Sequence, residues 1–387
     1  MKIITFYLPQ FHSIPENDKW WGEGFTEWVN VKKAEPLFEG HIQPRIPLDN
    51  NYYDLSDTDV MRWQTATAKE NGIYGFCFYH YWFGGKLLLQ KPVENYLREK
   101  DIDFPFCICW ANEHWTNQWV SDNNDVLMEQ KYGDEDEWKA HFDYLLPFLL
   151  DPRYIKKDNK PVLVIYRPDL IEKRGDMISC WNSLAVKAGL EGICFMFQRP
   201  DAVLSGTAGD MSMFDYCIEY QPLLEFSLMS DEKRRFMKLR KLKRKLMHYI
   251  EKHWGVSTEG MKLSRLKTSQ LSVYDYDRVW SDIISKKPLF QNSIPGAFVN
   301  WDNTPRKGNR GFAVKGADPE KFRDYLKKQI KHAVEDYHQD MIFMFAWNEW
   351  SEGGFLEPDE KYGYGFLNAV RDALIETDSF PEECKEK

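Results

Sequence analysis

Eight apolar runs alternating with amphipathic stretches predict an α/β fold, a single (β/α)8 TIM barrel over residues 1–387 with long βα-loop insertions. The runs are nearly continuous and rich in β-branched and aromatic residues, as strands covered on both faces are. The 387 residues exceed the roughly 250 that such a barrel needs, which leaves ample chain for loops. A doubly wound open sheet is the alternative. It normally carries a glycine-rich turn after an early strand, and here the first run ends Leu8-Pro9-Gln10-Phe11-His12 without a glycine.

The first run, Ile3–Leu8, opens a long loop, 9–56, expected to lie at the active site. Asp57–Asn71 follows as a helix, with Val60, Trp63, Ala66 and Ala68 as its apolar positions. The second and third runs are Ile73–Tyr79 and Phe104–Cys109. Glu135–Leu150, with Trp138, Phe142, Leu145 and Leu149, has the pattern of the crossover helix that a parallel strand pair requires. The fourth to sixth runs are Pro161–Tyr166, Gly192–Phe197 and Phe214–Ile218. A basic helical insertion, 222–287, precedes the seventh run, Ile294–Val299. Asp318–His338, with Phe322, Tyr325, Ile330 and Val334, then leads to the eighth, Met341–Ala346.

Composition narrows the function. The net charge of −9 argues against general nucleic-acid binding. It is unevenly spread: Lys233 to Lys245 holds nine basic residues in thirteen positions. The wider segment 231–253 reads as a helix with Phe236, Leu239, Leu242, Leu246 and Ile250 on one stripe. A solvated helical hairpin is its plain explanation, and docking on an anionic membrane surface is the sharper one. The seven cysteines are odd in number, and five lie in apolar runs, so reduced buried thiols are expected. Met1–Phe11 lacks the apolar core and small-residue cleavage site of a secretory leader, so the expected location is cytoplasmic, with peripheral contact to the inner membrane as the sharper alternative. The histidines form no H-x-H or H-E-x-x-H pair, and neither metal nor cofactor is expected.

Eleven of the fifteen tryptophans fall in 1–130 or 301–350, several beside acids, amides or histidines. A polyhydroxylated ring has an apolar C–H face and a fringe of hydroxyls, and such mixed clusters suit it. In these barrels the C-terminal strand ends carry the chemistry. The residues expected to contact substrate there are His12, Trp21, Glu27 and Trp28 after the first strand; His80 after the second; Trp110, Asn112, Glu113 and Trp115 after the third; Arg167, Glu219 and Asp302 after the fourth, sixth and seventh; and Trp347, Asn348 and Trp350 after the eighth. Beyond the eighth strand, Glu349 and Glu352 stand three apart, a spacing that on a turn can aim both at one cavity. Two carboxyls are the usual equipment for breaking a glycosidic bond. One of them pairing with an arginine such as Arg306 is the plain structural alternative.

Tyr7-Leu-Pro-Gln-Phe-His12, Trp20-Trp-Gly-Glu-Gly-Phe-Thr-Glu-Trp28, Gln43-Pro-Arg45, Trp110-Ala-Asn-Glu113, Trp301-Asp-Asn-Thr304 and Asn348-Glu-Trp-Ser-Glu-Gly353 followed by Glu357-Pro358 together resemble the WbsX-type, glycoside hydrolase family 99-like proteins of bacterial surface-polysaccharide clusters. The last motif is similar to that of the family 99 endo-α-mannosidases, with Ser351 in place of a histidine. The resemblance implies a carbohydrate-active enzyme of lipopolysaccharide, O-antigen or other cell-surface polysaccharide metabolism, acting with retention on α-mannoside-like bonds. It implies Glu349 as the base that takes the proton of the sugar 2-hydroxyl, whose oxygen then attacks C1 to give a 1,2-anhydro sugar. It implies Glu352 as the general acid/base, with its pKa raised. The implied partner is an oligosaccharide or lipid-linked glycan.

Two other functions compete. The family label is glycosyltransferase, but the Asp-x-Asp triplets at Asp101–Asp103, Asp134–Asp136 and Asp275–Asp277 follow no convincing central strand, and there is no G-x-G-x-x-G or P-loop to seat a nucleotide sugar. A catalytically silent glycan-binding barrel would keep the aromatic lining and tolerate loss of Glu349 or Glu352.

Overall fold

The computed structural model describes residues 1–116, 125–201, 211–229 and 271–384. Eight staves form the sheet: β1 (Lys2–Tyr7), β2 (Ile73–Phe83), β3 (Phe106–Trp110), β4 (Lys160–Ile165), β5 (Cys194–Arg199), β6 (Tyr216–Glu219), β7 and β8 (Met341–Phe345). The stave β7 comes in two pieces, Ser293–Ile294 and Gly296–Phe298, on either side of Pro295. The first piece pairs with β6 and the second with β8, while β8 pairs with β1. Every neighbouring pair is parallel, so the sheet closes on itself as a barrel. The interruption has a local cause: proline has no N–H to give to the ladder. At Gly296 the closure is tight, since an added Cβ would overlap the Glu219 carbonyl oxygen of β6.

The expected staves are all present, with shifted ends. The largest difference is β2, which continues past Tyr79 to Phe83 and folds back on Lys86–Leu88 as a hairpin. Gly84 and Gly85, both with positive φ, supply the two-residue turn such hairpins favour.

Among the described residues the helices include α1 (Pro15–Trp21), α2 (Glu27–Lys32), α3 (Thr58–Glu70), α4 (Lys91–Arg98), α5 (Glu135–Leu149), α6 (Arg174–Lys187), α7 (Tyr276–Ser285), α8 (Thr304–Lys307), α9 (Pro319–Glu335) and α10 (Gly365–Glu376). Asp57, Asp275 and Asp318 cap α3, α7 and α9, each accepting from a backbone N–H of the first turn. In α5, Trp138, His141, Phe142, Leu145 and Leu149 are buried, the stripe that a crossover helix turns to the sheet. α7 lies inside the 222–287 stretch, and its Trp280 stacks on Phe298 of β7 and on Tyr325 of α9. That end of the stretch is thus part of the barrel's helical layer. The basic segment 231–253 lies outside the described residues. No helix among the described residues is long and apolar enough to cross a membrane. All seven cysteines are free thiols, and six are buried.

Side chains along each stave alternate between the barrel interior and the helical layer. On β1, Phe6 meets Tyr79, Tyr220 and Phe343 inside the barrel, while Tyr7 meets Phe76 and Phe78 beneath the helices. On β2, accordingly, Tyr79 and Tyr81 face inward, and His80 and Trp82 face outward.

Candidate active site

The chain just past β8 is built as a compact turn. The Asn348 side chain brackets Leu8, accepting from its N–H at 2.8 Å and donating to its carbonyl at 3.0 Å. Asn348–Glu349 pairs antiparallel with Gly354–Phe355, and a 3-10 turn, Trp350–Glu352, joins them. Gly353 ends that turn at φ 67°, with Asp302 so close that a Cβ there would crowd it. The result sets Glu349 and Glu352 in the wall of one cleft of about 320 Å³ at the barrel mouth.

A single guanidinium organises the carboxyls. Arg306, carried by α8 after β7, places Nη1 2.6 Å from Glu352, Nη2 3.5 Å from Glu349 and Nε 3.2 Å from Glu27 of α2. The Arg306 side chain is 6% exposed, Glu27 0%, Glu349 6% and Glu352 20%. With all three acids ionised, this nearly dry cluster would carry two uncompensated negative charges. Burial pushes the Glu349 carboxyl well above the ordinary carboxylate range; Arg306 opposes the shift, and Glu352 and Glu27 reinforce it. Burial likewise opposes the charge on Arg306, but its three acidic neighbours hold it firmly protonated.

Aromatic rings form the rest of the cleft. Tyr79, Tyr81, Tyr166 and Tyr220 rise from the staves, Trp301 and Phe312 close one side, and Trp21, Phe25 and Trp115 the other. Trp301 stacks on Phe312 at 5.4 Å, and Trp115 stands edge-on to Tyr81 at 5.1 Å. Gln198 accepts from the Cys109 thiol and donates to the Tyr79 hydroxyl, which is 3.1 Å from that of Tyr220, giving the floor a polar thread.

Of the residues expected at the site, Trp21, Glu113, Trp115, Glu349 and Glu352 line this cleft, and Glu27 reaches it through Arg306. The others are placed elsewhere. His80 faces outward to His141 at 2.9 Å and is pushed down to about 3 by burial. Trp110 also faces outward, packing on His141 and Trp181. Trp28 and Trp350 pack against each other, and Trp347 packs on Phe76. His12 points Nδ1 at the Pro9 carbonyl, an acceptor only, so that nitrogen carries the hydrogen; burial pushes its pKa down. Asn112 exchanges hydrogen bonds with the Arg167 backbone, and Arg167 grips Asp169 with two nitrogens while bonding Glu113 at 2.9 Å. Glu219 accepts from Leu289 N–H and the Tyr337 hydroxyl. Asp302 receives His41, Gln43 and Thr304; burial raises it, but these bonds prevail and hold it below the ordinary range. Through His41 and Gln43 it ties the long 9–56 loop to the segment after β7. Ser351, where family 99 has a histidine, is buried and donates to the Glu27 carbonyl.

A third carboxyl of the strand-8 motif, Glu357, is a structural keystone. It accepts from Trp350 Nε1 at 2.6 Å, the Tyr53 hydroxyl at 2.8 Å and Gln64 Nε2 at 2.7 Å. Burial nevertheless pushes it up to about 7. A carboxyl raised on folding lends stability that is complete below its unfolded pKa of about 4.3. That share is lost as pH rises through the folded value. Glu357→Gln is expected to flatten the decline of urea-unfolding stability between about pH 5 and pH 7. Glu357→Ala strands three buried donors and is expected to destabilise by about 3 kcal/mol.

Comparison with known proteins agrees with this architecture. The family profile described as Glycosyltransferase WbsX matches residues 3–370. The WxcX proteins of two strains of Xanthomonas campestris pv. campestris are 35% identical over 382 residues, 96% of this chain and 49% of theirs. The chain thus spans about half the length of these curated relatives. Among solved structures, the GH99 endo-alpha-mannosidase from Bacteroides thetaiotaomicron aligns over 97% of both chains with 14% identity and a TM-score of 0.53. A glycoside hydrolase-like protein aligns over 96% of this chain and 93% of its own, with 12% identity and a TM-score of 0.53. These identities speak for the barrel alone, whereas the profile match covers nearly the whole chain, and the protein belongs to the family described as Glycosyltransferase WbsX.

Proposed function

We propose that this protein breaks or transfers a glycosidic bond of a bacterial cell-surface polysaccharide, at an α-mannoside-like linkage and with retention of configuration. The observation that carries the proposal is the pair Glu349 and Glu352, held on one buried guanidinium in an aromatic cleft at the mouth of a barrel. Glu349 takes the proton of the sugar 2-hydroxyl, and that oxygen closes on C1 while Glu352 protonates the departing oxygen. An acceptor then opens the 1,2-anhydro ring at C1 and gives its proton to Glu352, and the 2-oxygen regains a proton from Glu349. Water as acceptor gives hydrolysis, and a sugar hydroxyl gives transfer. Burial raises the Glu349 carboxyl and so favours its protonated form, which must give up that proton before it acts as a base. Arg306, 3.5 Å away, is the group that favours the loss. The substrate is polymeric or lipid-linked glycan.

The family's description favours a second reading, transfer from a nucleotide sugar. A panel of α-mannosides and α-glucosides, followed by NMR of the first-formed product, separates the two. The expected outcome is turnover with an α-configured product. Consumption of a nucleotide sugar, with the panel untouched, would put the second reading in its place.

A further inference from the structure

A second cavity, of about 530 Å³, has Trp350 in its wall, whereas Glu349 and Glu352 line the first cleft. It falls in the size range of small-molecule sites. Tyr52, Trp63, Tyr364 and Glu357 are among the residues that line it. Tyr364 is 42% exposed, much for so large a ring. Asp49 and Asn50 form the rim in two consecutive left-handed conformations, φ 57° and 55°, stabilised by the bond from Asp49 N–H to Glu360 at 2.8 Å. Two such residues in a row are costly for L side chains, least so for Asp and Asn, and here the carboxylate and amide stand exposed beside the rings.

We propose that this cavity is a second sugar site, taking a neutral pyranose of the same glycan that the cleft acts on. The rings offer flat apolar faces to the C–H side of a sugar, and the rim acid and amide offer acceptors and donors to its hydroxyls. No lysine or arginine lines the cavity among the described residues, Lys32 Nζ lying instead 4.0 Å from the Tyr52 ring centroid, and the exposed Asp49 carboxylate at the rim disfavours uronate or phosphorylated sugars. Its place fits a grip on a chain: the Trp350 indole borders it, while Glu349 and Glu352 on either side in sequence face the cleft. The proposal rests on the protein acting on glycan, but sugar binding here requires no turnover in the cleft.

The test uses the full chain labelled with fluorotryptophan and followed by fluorine NMR, with the Trp63 and Trp301 signals assigned by single Trp→Phe variants. The probes are methyl α-mannopyranoside, methyl α-glucopyranoside and methyl α-galactopyranoside. At least one is expected to shift Trp63 saturably, in the Glu349→Gln protein as in the wild type. Tyr364→Ala, at an exposed position, is expected to weaken that response about fivefold, the weight of one aromatic partner, and to leave any Trp301 response unchanged. Asp49→Ala serves as a second variant if Tyr364→Ala fails to fold. A Trp63 signal that none of the three sugars moves, or a shift indifferent to the rim variants, would overturn the proposal. Failure of the proposed reaction shows up separately, as intact Trp63 binding with no cleavage.

Discussion

Glu349→Gln is expected to lower turnover by about 10²–10⁴, the range for losing a positioned acid–base group. The variant keeps the size and burial of the side chain but removes the carboxylate that must receive the 2-hydroxyl proton. It also changes the pH profile. Because burial holds the native carboxyl well above its usual range, the base form is scarce at low pH, and the native rate should climb with pH until Glu349 is ionised. In Glu349→Gln that acidic limb should vanish from the residual rate. Rates within about threefold of native would remove Glu349 from the reaction, since even a modest acid–base contribution exceeds that. Unchanged glycan binding with no activity in the parent would point instead to the silent barrel.

Replacing the guanidinium that binds the carboxyls should act on both rate and stability. Arg306→Met leaves Glu27, Glu349 and Glu352 without the guanidinium that binds them, and Glu349 loses the charge that opposes its raised pKa. The acidic limb should therefore move to higher pH than in the native protein, because the charge that pulled Glu349 down is gone. Stability should fall by about 3–5 kcal/mol near neutral pH, the penalty for stranding buried charge. The sign of its pH dependence comes from Glu349: a folded-state carboxyl pKa raised further above its unfolded value makes the deficit small in acid and larger as pH rises. Arg306→Lys should recover part of the stability and little of the geometry, since one ammonium cannot reach three carboxyls as a planar fork does. Urea titrations at pH 5 and pH 8 beside a pH–rate profile would read both effects. An unchanged acidic limb would mean that Arg306 has no influence on the reacting proton.

The staves and the position of the acidic pair were legible because continuous apolar runs mark strands buried on both faces, and because the two glutamates sit in a short turn that leaves them little choice of direction. The remaining site residues were less legible for the same reason. Where both faces of a strand are apolar, sequence does not reveal which alternate set points inward, and a shift of one residue exchanges them. Sequence polarity thus points His80 and Trp110 at the cleft that Tyr79 and Tyr81 line. Arg306 appeared only as a possible ion-pair partner, because its role depends on Glu27, 279 residues away. Asn348 and Asp302 looked like substrate groups because their polarity is evident in sequence; that backbone and loop partners consume it is visible only in three dimensions.

The pairing of β1 with β8 has a bearing on how the protein is made. The earliest strand finds one of its neighbours about 340 positions downstream, and Glu27 gains its cation only when Arg306 has been synthesised. A ribosome-bound nascent chain therefore holds an open sheet edge and an acid without its guanidinium until these later segments have emerged, a state that invites chaperone attention. Competence for chemistry should arrive abruptly with the final stave, instead of growing in step with chain length.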